Sequence, residues 1–367
     1  MIQVCFGVLV WASCLLNSYY VQAEDELKAV SVLYRHGDRT IAQSYPTDPY
    51  KNASFWPVPF GELTNLGKQK HFALGQWLRK RYDNFLSKKY LAKEFHITSS
   101  NYDRCLMSAA SNLAGLYPPI GDQVWNPSLQ WQPIPIHTTP NKKDGMLTLQ
   151  KPCPRFTKLL EDELQKDHYL NIAKENEKLY SYLTEKTEKE INDLLGGYGL
   201  YDTLFVENLM NFTLPDWTKS VFPDKLKNIA LIFFEMETRT PELAKFRVGQ
   251  LFDKVLGQFD SYVEDEGSLP KFQVFSAHDI NIFNVLNSLR IRPLNIVPYA
   301  SVVIFELRQK NDGQYFVKLL YKHESETEEL KIPGCPSPCD YNEYKTLLQP
   351  LSLNEDEWDD LCQLKES

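Results

Sequence analysis

The sequence predicts an α/β fold: a central β-sheet flanked by helices, with a smaller, mainly helical cap inserted into the chain. Three observations lead there. Residues 27–34, LKAVSVLY, form a β-rich run with no turn residue and apolar groups on both faces, as a strand covered by helices on each side requires. Residues 271–277, KFQVFSA, form a second such strand, and both runs stop abruptly at charge, in RHGDR and HD. Strand ends of that kind are where an open α/β sheet places its ligands. The third observation is a tract over 154–195 that is polar, charged and periodic, and is stopped early by Gly196, Gly197 and Gly199. A coiled coil would run longer, so short packed helices forming an insertion are expected.

The 367 residues allow two domains, or one core with a large insertion. The expected division is a core from 24–153 and 221–367, a helical cap over 154–220, and a leader over 1–23. Along the core, Thr64 caps a helix to about Arg81 whose Leu66, Leu74, Trp77 and Leu78 make the inward face. His96–Ser99 is a short strand. Asp103 starts a helix in which Leu106, Ala109, Ala110, Leu113 and Tyr117 recur with helical period. Residues 131–139 read as extended. The core resumes near Lys227 with NIALIF, and a long amphipathic helix begins near Pro241. SVVIFELRQ, a KNDG turn and QYFVKLLYK form a hairpin.

Composition excludes several classes. With 43% hydrophobic and 24% charged residues, 22 Pro and 16 Gly, the chain is neither collagen-like nor disordered. A formal net charge of -8 argues against nonspecific binding to nucleic acid or anionic membranes. Residues 1–23 contain no Lys, Arg, Asp or Glu and end in Val21-Gln22-Ala23, which reads as a cleaved signal peptide rather than a buried or membrane helix. The acidic C-terminal stretch offers no membrane anchor. Export, to the extracellular space or to a lysosome, is therefore expected, with glycans at the sequons of Asn52 and Asn211.

Seven cysteines less Cys5 and Cys14 of the leader leave five, an odd number that requires at least one free or externally paired thiol. A local Cys335–Cys339 bridge across CPSPC is sterically reasonable, and Cys153 would then pair with Cys362. That second bridge closes a long loop and is worth about 4–5 kcal/mol in the chain-entropy model. CxxxC also occurs in metal sites, but no His or second Cys pair lies nearby in the sequence. No metal or other cofactor is expected, and no GxSxG or phosphate-binding P-loop occurs.

The two strand ends carry the chemistry. Arg35, His36 and Arg39 lie within five residues, and Gly37 between them allows a tight path in which a Cβ would crowd a bound anion. His278 and Asp279 stand at the second strand end, and Arg104 at a helix start. Three arginines and two histidines in one crevice repel one another unless an anion lies among them, and a phosphoryl group meets that requirement with several acceptor oxygens. An imidazole nitrogen is a competent nucleophile toward phosphorus, and arginines stabilise the equatorial oxygens. A carboxyl beside bound phosphate retains its proton in mild acid through like-charge repulsion, which makes Asp279 the expected proton donor. Taken singly, each motif also has a bland reading: a hydrogen-bonded structural histidine, a capped strand end, a local salt bridge.

With RHGDRT at 35–40, AHDIN at 277–281, SSNYDRCLMSAA and VPYASVVIFEL in place, the chain resembles the histidine acid phosphatases, the acid-phosphatase branch of the histidine phosphatase superfamily. The likeness covers almost the whole chain after the leader and includes secreted insect venom acid phosphatases. It implies a mixed β-sheet with helices on both faces, His36 as the phosphorylated nucleophile, and Asp279 as proton donor. It also implies phosphoryl binding by Arg35, Arg39, Arg104 and His278, and independence of metal. The family usually has Thr at the position of Cys105, so a buried free thiol beside an intact site is expected. Mammalian members of the family carry a further bridge with one Cys where Val302 stands here, and the family's other two disulfides match Cys153–Cys362 and Cys335–Cys339. Small phosphomonoesters are the implied substrates, and a homodimer is compatible with the likeness. Two rival readings remain: a phytase or inositol-polyphosphate phosphatase, which needs a polycationic pocket where VPYAS looks aromatic, and a secreted binding protein or allergen with a weak site.

Overall fold

The computed structural model describes residues 25–264, 267–292 and 294–364; the expected leader lies outside them. In chain order the elements are β1 (Glu26–Arg35), α1 (Asn65–Arg81), β2 (Phe95–Ser100), α2 (Asp103–Leu116), β3 (His137–Thr139) and α3 (Pro154–Leu164). Next come α4 (Asp167–Thr187), α5 (Leu194–Leu209), α6 (Asp224–Met236), α7 (Pro241–Glu264), β4 (Phe272–Ala277) and α8 (Asp279–Ser288). The chain closes with β5 (Val302–Gln309), β6 (Tyr315–His323), β7 (Glu326–Leu330), β8 (Cys339–Asp340), α9 (Tyr341–Leu348) and α10 (Glu355–Cys362).

Strand β1 is buried from Ala29 onward because both of its faces are covered. Ala29 and Leu33 pack with Val248, Phe252 and Phe259 of α7, and with Val285 of α8. Val30, Val32 and Tyr34 face Leu74 and Leu78 of α1 and Ala109 and Leu113 of α2. The sheet is mixed, in the order β3-β2-β4-β1-β5-β6-β7 with β8 beside β6. β1 runs parallel to β4, β4 to β2 and β2 to β3, whereas β1–β5 and β5–β6 are antiparallel. The β5–β6 hairpin closes as expected: Lys310 N–H donates to Gln314 O at 2.8 Å, and Gly313 takes φ 88°, a left-handed value glycine tolerates.

Helix α1 differs from expectation in the face it buries. Leu74 and Leu78 are buried as expected and Trp77 is half-buried, but Leu66 is exposed, and Gly67, His71 and Gly75 complete the inward face. Close approach to α2 sets that choice. A Cβ on Gly75 would stand 2.0 Å from the carbonyl oxygen of Asn112, so the two backbones meet where a leucine-based face would hold them apart.

The helical tract does not pack as one unit. Phe156 of α3 joins Phe246, Leu353 and Trp358, and the Cys153–Cys362 disulfide links the starts and ends of this cluster. Helices α4, α5 and α6 share a different core, with Tyr180, Leu183, Leu200, Leu204 and Ile229 enclosing Tyr45 from the loop after β1. NIALIF is part of α6, and its Ile229 and Ala230 belong to this cluster while Phe234 reaches the main core. The second disulfide joins Cys335 and Cys339, and Cys105 is a buried free thiol. Among the described residues, no helix is long and apolar enough to cross a membrane.

Glu207 of α5 is fully buried, and neither carboxyl oxygen has a hydrogen-bond partner apart from the acid it faces, Asp48. Asp48 is itself occupied, accepting from Tyr50 N–H and from Ser44 Oγ, both at 2.6 Å. Burial, and then the Asp48 carboxylate, push Glu207 up to about 9 from its ordinary 4.5. Between those values the folded chain holds a proton that the unfolded chain has lost, so this group's contribution to stability falls as pH rises. The slope reaches about 1.4 kcal/mol per pH unit at most. Urea unfolding between pH 5 and 8 should therefore show a shallower loss of stability with rising pH in Glu207→Gln than in the wild type.

Candidate active site

The parallel register of β1 with β4 aligns Arg35 with Ala277, and His36 N–H donates to the Ala277 carbonyl at 3.0 Å. RHG and HD therefore leave the sheet side by side at one edge. Arg35 N–H donates to Ser301 O at 3.0 Å and Ala300 N–H to His36 O at 3.1 Å, which fixes the third wall, residues 297–301. His278 stands at the N-terminus of α8, its N–H donating to Asn281 Oδ1 at 3.1 Å. β2 ends beside β4, and α2 begins three residues later and carries Arg104 in its first turn. Arg35, His36, Arg39, Arg104, His278 and Asp279 converge in this crevice, with the two imidazole centroids 5.5 Å apart.

The hydrogen bonds set the state of each ring. His36 Nδ1 lies 2.8 Å from the Gly37 carbonyl, so Nδ1 carries the proton and Nε2 keeps its lone pair. Burial first, then Arg104, Arg35, His278 and Arg39, hold His36 well below the ordinary imidazole value. His278 is lowered to about 3 by burial and Arg104; its Nε2 contacts Ser100 Oγ at 2.8 Å, and Arg104 Nη2 faces its Nδ1 at 3.5 Å. Both histidines are thus neutral in mild acid. Burial raises Asp279, but Arg35 and then Arg39 outweigh it, and the carboxylate sits below its usual range, 2.8 Å from Arg35 Nη2. The Nε atoms of Arg35, Arg39 and Arg104 are all buried without a partner. Three unsatisfied cationic N–H groups at one place are a demand for an anion.

A family model described as histidine phosphatase superfamily (branch 2) matches residues 26–322. The chain belongs to that superfamily. Lysosomal acid phosphatase of Xenopus laevis is 37% identical over 344 residues, 92% of this chain and 79% of the relative. Prostatic acid phosphatase of Bos taurus is 37% identical over 347 residues, 93% of this chain and 88% of the relative. Among solved structures, Hafnia alvei phytase in complex with myo-inositol hexakis sulphate aligns with a TM-score of 0.70 at 17% identity. It covers 93% of this chain and 99% of its own. Citrobacter braakii phytase gives 0.68 at 14%, with 93% and 100% covered. At those identities the phytases share the α/β architecture, and the acid phosphatases are the sequence relatives.

In this histidine phosphatase several supporting groups escaped sequence reasoning. Asp202 of α5 accepts from Arg39 Nη2 with both oxygens at 2.9 Å, and nothing in GLYDTLF marks it. Arg35 stacks on the Tyr299 ring with its guanidinium carbon 3.9 Å from the centroid; VPYAS had signalled an aromatic wall but not this contact. His71, on the inward face of α1, donates through Nε2 to the Arg35 carbonyl at 3.0 Å, and burial lowers it to about 4. Among the described residues, no group of three or more His, Cys, Asp or Glu is arranged to hold a metal ion.

Gly37 needs a correction. A Cβ there would meet the backbone of Gly67, 2.4 Å from its oxygen, rather than crowd an anion. The two glycines let the loop after β1 lie on the first turn of α1, which fixes the direction of His36. Gly37→Ala should destabilise the fold by about 1–3 kcal/mol and lower kcat, since rigid backbone opposes the added methyl. Thermal melts and steady-state kinetics on one preparation check both.

Proposed function

We propose that the protein is an acid phosphatase that hydrolyses phosphate monoesters through a phosphohistidine on His36. The observation that supports this most directly is His36 itself: with Nδ1 on the Gly37 carbonyl its Nε2 is unprotonated, and it lies among three arginines whose buried Nε–H groups lack acceptors. Nε2 attacks phosphorus, and the bond from phosphorus to the ester oxygen breaks. Arg35, Arg39, Arg104 and His278 bind the transferring group. Asp279 gives its proton to the departing alkoxide, and its carboxylate then takes a proton from the water that attacks the phosphohistidine, releasing phosphate. Asp279 holds that proton only while a bound phosphoryl group draws Arg35 away and sets its own negative charge beside the carboxyl.

Aromatic groups favour simple monoesters over phytate. Tyr299 lies 5.7 Å from His36 and Tyr102 5.4 Å from His278, centroid to centroid, and Phe205 borders Tyr299. A hexakisphosphate would need lysines and arginines in their place. Residues 154–220 then screen leaving groups as a cap. The intact set of six site residues weighs against a protein retained for binding alone. We further propose an exported enzyme, secreted or lysosomal, a homodimer, with glycans at Asn52 and Asn211, both of which are exposed. Residence in a venom would be one instance of such export.

Expected outcomes follow from these roles. His36→Ala should abolish turnover and phosphoenzyme trapping, while Asp279→Asn should slow alkyl phosphates more than activated aryl phosphates. Trapped phosphate on any residue other than His36 would refute the mechanism. Dialysis against EDTA should leave activity intact, and phytate should not exceed an aryl phosphate a hundredfold in kcat/KM.

The pH profile has a defined sign. A nucleophile whose pKa is lowered by burial and by Arg104 stays unprotonated as pH falls, so kcat/KM should not decline through an apparent pKa near 6.5 on the acid side. Measuring kcat/KM for an aryl phosphate from pH 3 to 9 checks this.

A further inference from the structure

Arg35 and Arg39 leave the same strand end, and each meets a carboxylate supplied by a different element. Arg35 meets Asp279 at the start of α8, and Arg39 meets Asp202 from α5. The first carboxylate has a chemical task. The second has none assigned: both of its oxygens accept from one nitrogen of Arg39, and no other cation stands within ion-pair distance of it among the described residues. Arg39 is 6% exposed and Asp202 9%, so the pair lies largely out of water, where neither charge is inexpensive to leave alone. Burial works against the Arg39 charge, and Asp202, followed by Tyr299, Tyr198 and Asp279, together outweigh it and keep the guanidinium protonated.

The remaining contacts of Arg39 define what the pair does. Nη1 donates to the Thr40 carbonyl at 3.0 Å and Nη2 is held by Asp202, which fixes the plane of the fork. Nε–H is left buried and free. We propose that Asp202 is a positioning residue for phosphoryl transfer: it fixes Arg39 with Nε–H available to the phosphoryl group and makes that arrangement depend on α5 being seated over the site. The inference rests on the phosphatase reading above. Because α5 shares its core with α4 and α6, the helical region governs the geometry of an anion-binding arginine as well as the shape of the opening.

Two consequences separate positioning from simple structural support. First, Asp202 acts through Arg39, so the two losses are not independent. Arg39→Ala leaves a buried, unpaired carboxylate beside the position of the phosphoryl group, where it repels substrate. Removing that carboxylate as well relieves the repulsion. The Arg39→Ala/Asp202→Ala double variant should therefore equal or exceed Arg39→Ala in kcat/KM, by roughly threefold or more where the repulsion dominates. Second, the groups around the Arg39–Asp202 pair are Tyr198 on α5 and Tyr299 on the wall before β5, and Asp279 at α8 faces Arg35 from β1, Arg39 from the loop after it, and His278. Asp202→Asn leaves more of the Arg39 charge uncompensated, and because Arg39 is one of the cations that lower Asp279, Asp279 then loses its proton more readily. The alkaline limb of kcat should then move to lower pH than in the wild type.

The experiment measures kcat/KM for an aryl phosphate in wild type, Arg39→Ala, Asp202→Ala and the double variant, with the kcat pH profile of Asp202→Asn beside it. Asn keeps the side chain's shape and one acceptor, so that variant tests the charge even where Asp202→Ala fails to fold, and melting temperatures identify such a failure. A reduced fraction of active enzyme would lower kcat without moving the limb. Losses that multiply in the double variant, or an unmoved limb in Asp202→Asn, would overturn the inference while the wild type remains an active phosphatase. A wild type without phosphomonoesterase activity would instead remove the reading beneath it.

Discussion

The parallel pairing of β1 with β4 is the constraint on which the rest depends. These strands are distant in sequence, yet their register places Arg35 opposite Ala277 and ends both at the same level. One hydrogen bond past the ladder, from His36 N–H to Ala277 O, prevents the two loops from parting. Helices on both faces bury β4 throughout and β1 from Ala29 onward, so a shift of one residue would move Leu33 and Tyr34 into the wrong layers. His36 and Asp279, the proposed nucleophile and proton donor, are therefore held in place by the hydrophobic cores of two layers. A loop alone would not hold them so.

A pocket arranged in this way concentrates positive charge, and the surrounding contacts dispose of it one group at a time. Asp279 faces Arg35, Asp202 faces Arg39, and Arg104 lies over the Tyr102 ring, 4.5 Å from its centroid. The imidazoles contribute no charge, because burial and the arginines keep both neutral. The global excess of acidic residues is irrelevant at this distance scale: a net charge of -8 coexists with a crevice that calls for an anion.

Legibility in the sequence followed how local each feature is. β1, β4, the β5–β6 hairpin and the starts of α1 and α2 announce themselves through short apolar runs, caps and turn residues, and all appear as expected. The six site residues were visible because they fall at strand ends and a helix start, beside unusual clusters of charge. Asp202 was not, since a single aspartate in an apolar helix shows its role only once α5 lies over Arg39. Leu66 misled for the same reason in reverse: its apolar side chain fits the helical period, and close glycine contacts turn the inward face toward Gly67 and Gly75. Glu207 and Asp48 lie far apart in sequence, and nothing local shows that they meet in a buried place.

Operation in acid follows from these contacts taken together. Histidine is ordinarily a poor nucleophile below its pKa, because protonation removes the lone pair. Here the three arginines proposed to bind the phosphoryl group are also among the causes that keep His36 unprotonated, so in this mechanism phosphate binding and nucleophile activation arise from the same arginines. An arriving phosphoryl group supplies the opposite charge, and its negative oxygens raise the proton affinity of Asp279 just when a proton is needed at the leaving oxygen. Each ionisable group thus reaches its working state through the neighbours it acts with. Acid pH favours the one group that must be protonated, and the site's own charge protects the one that must not be.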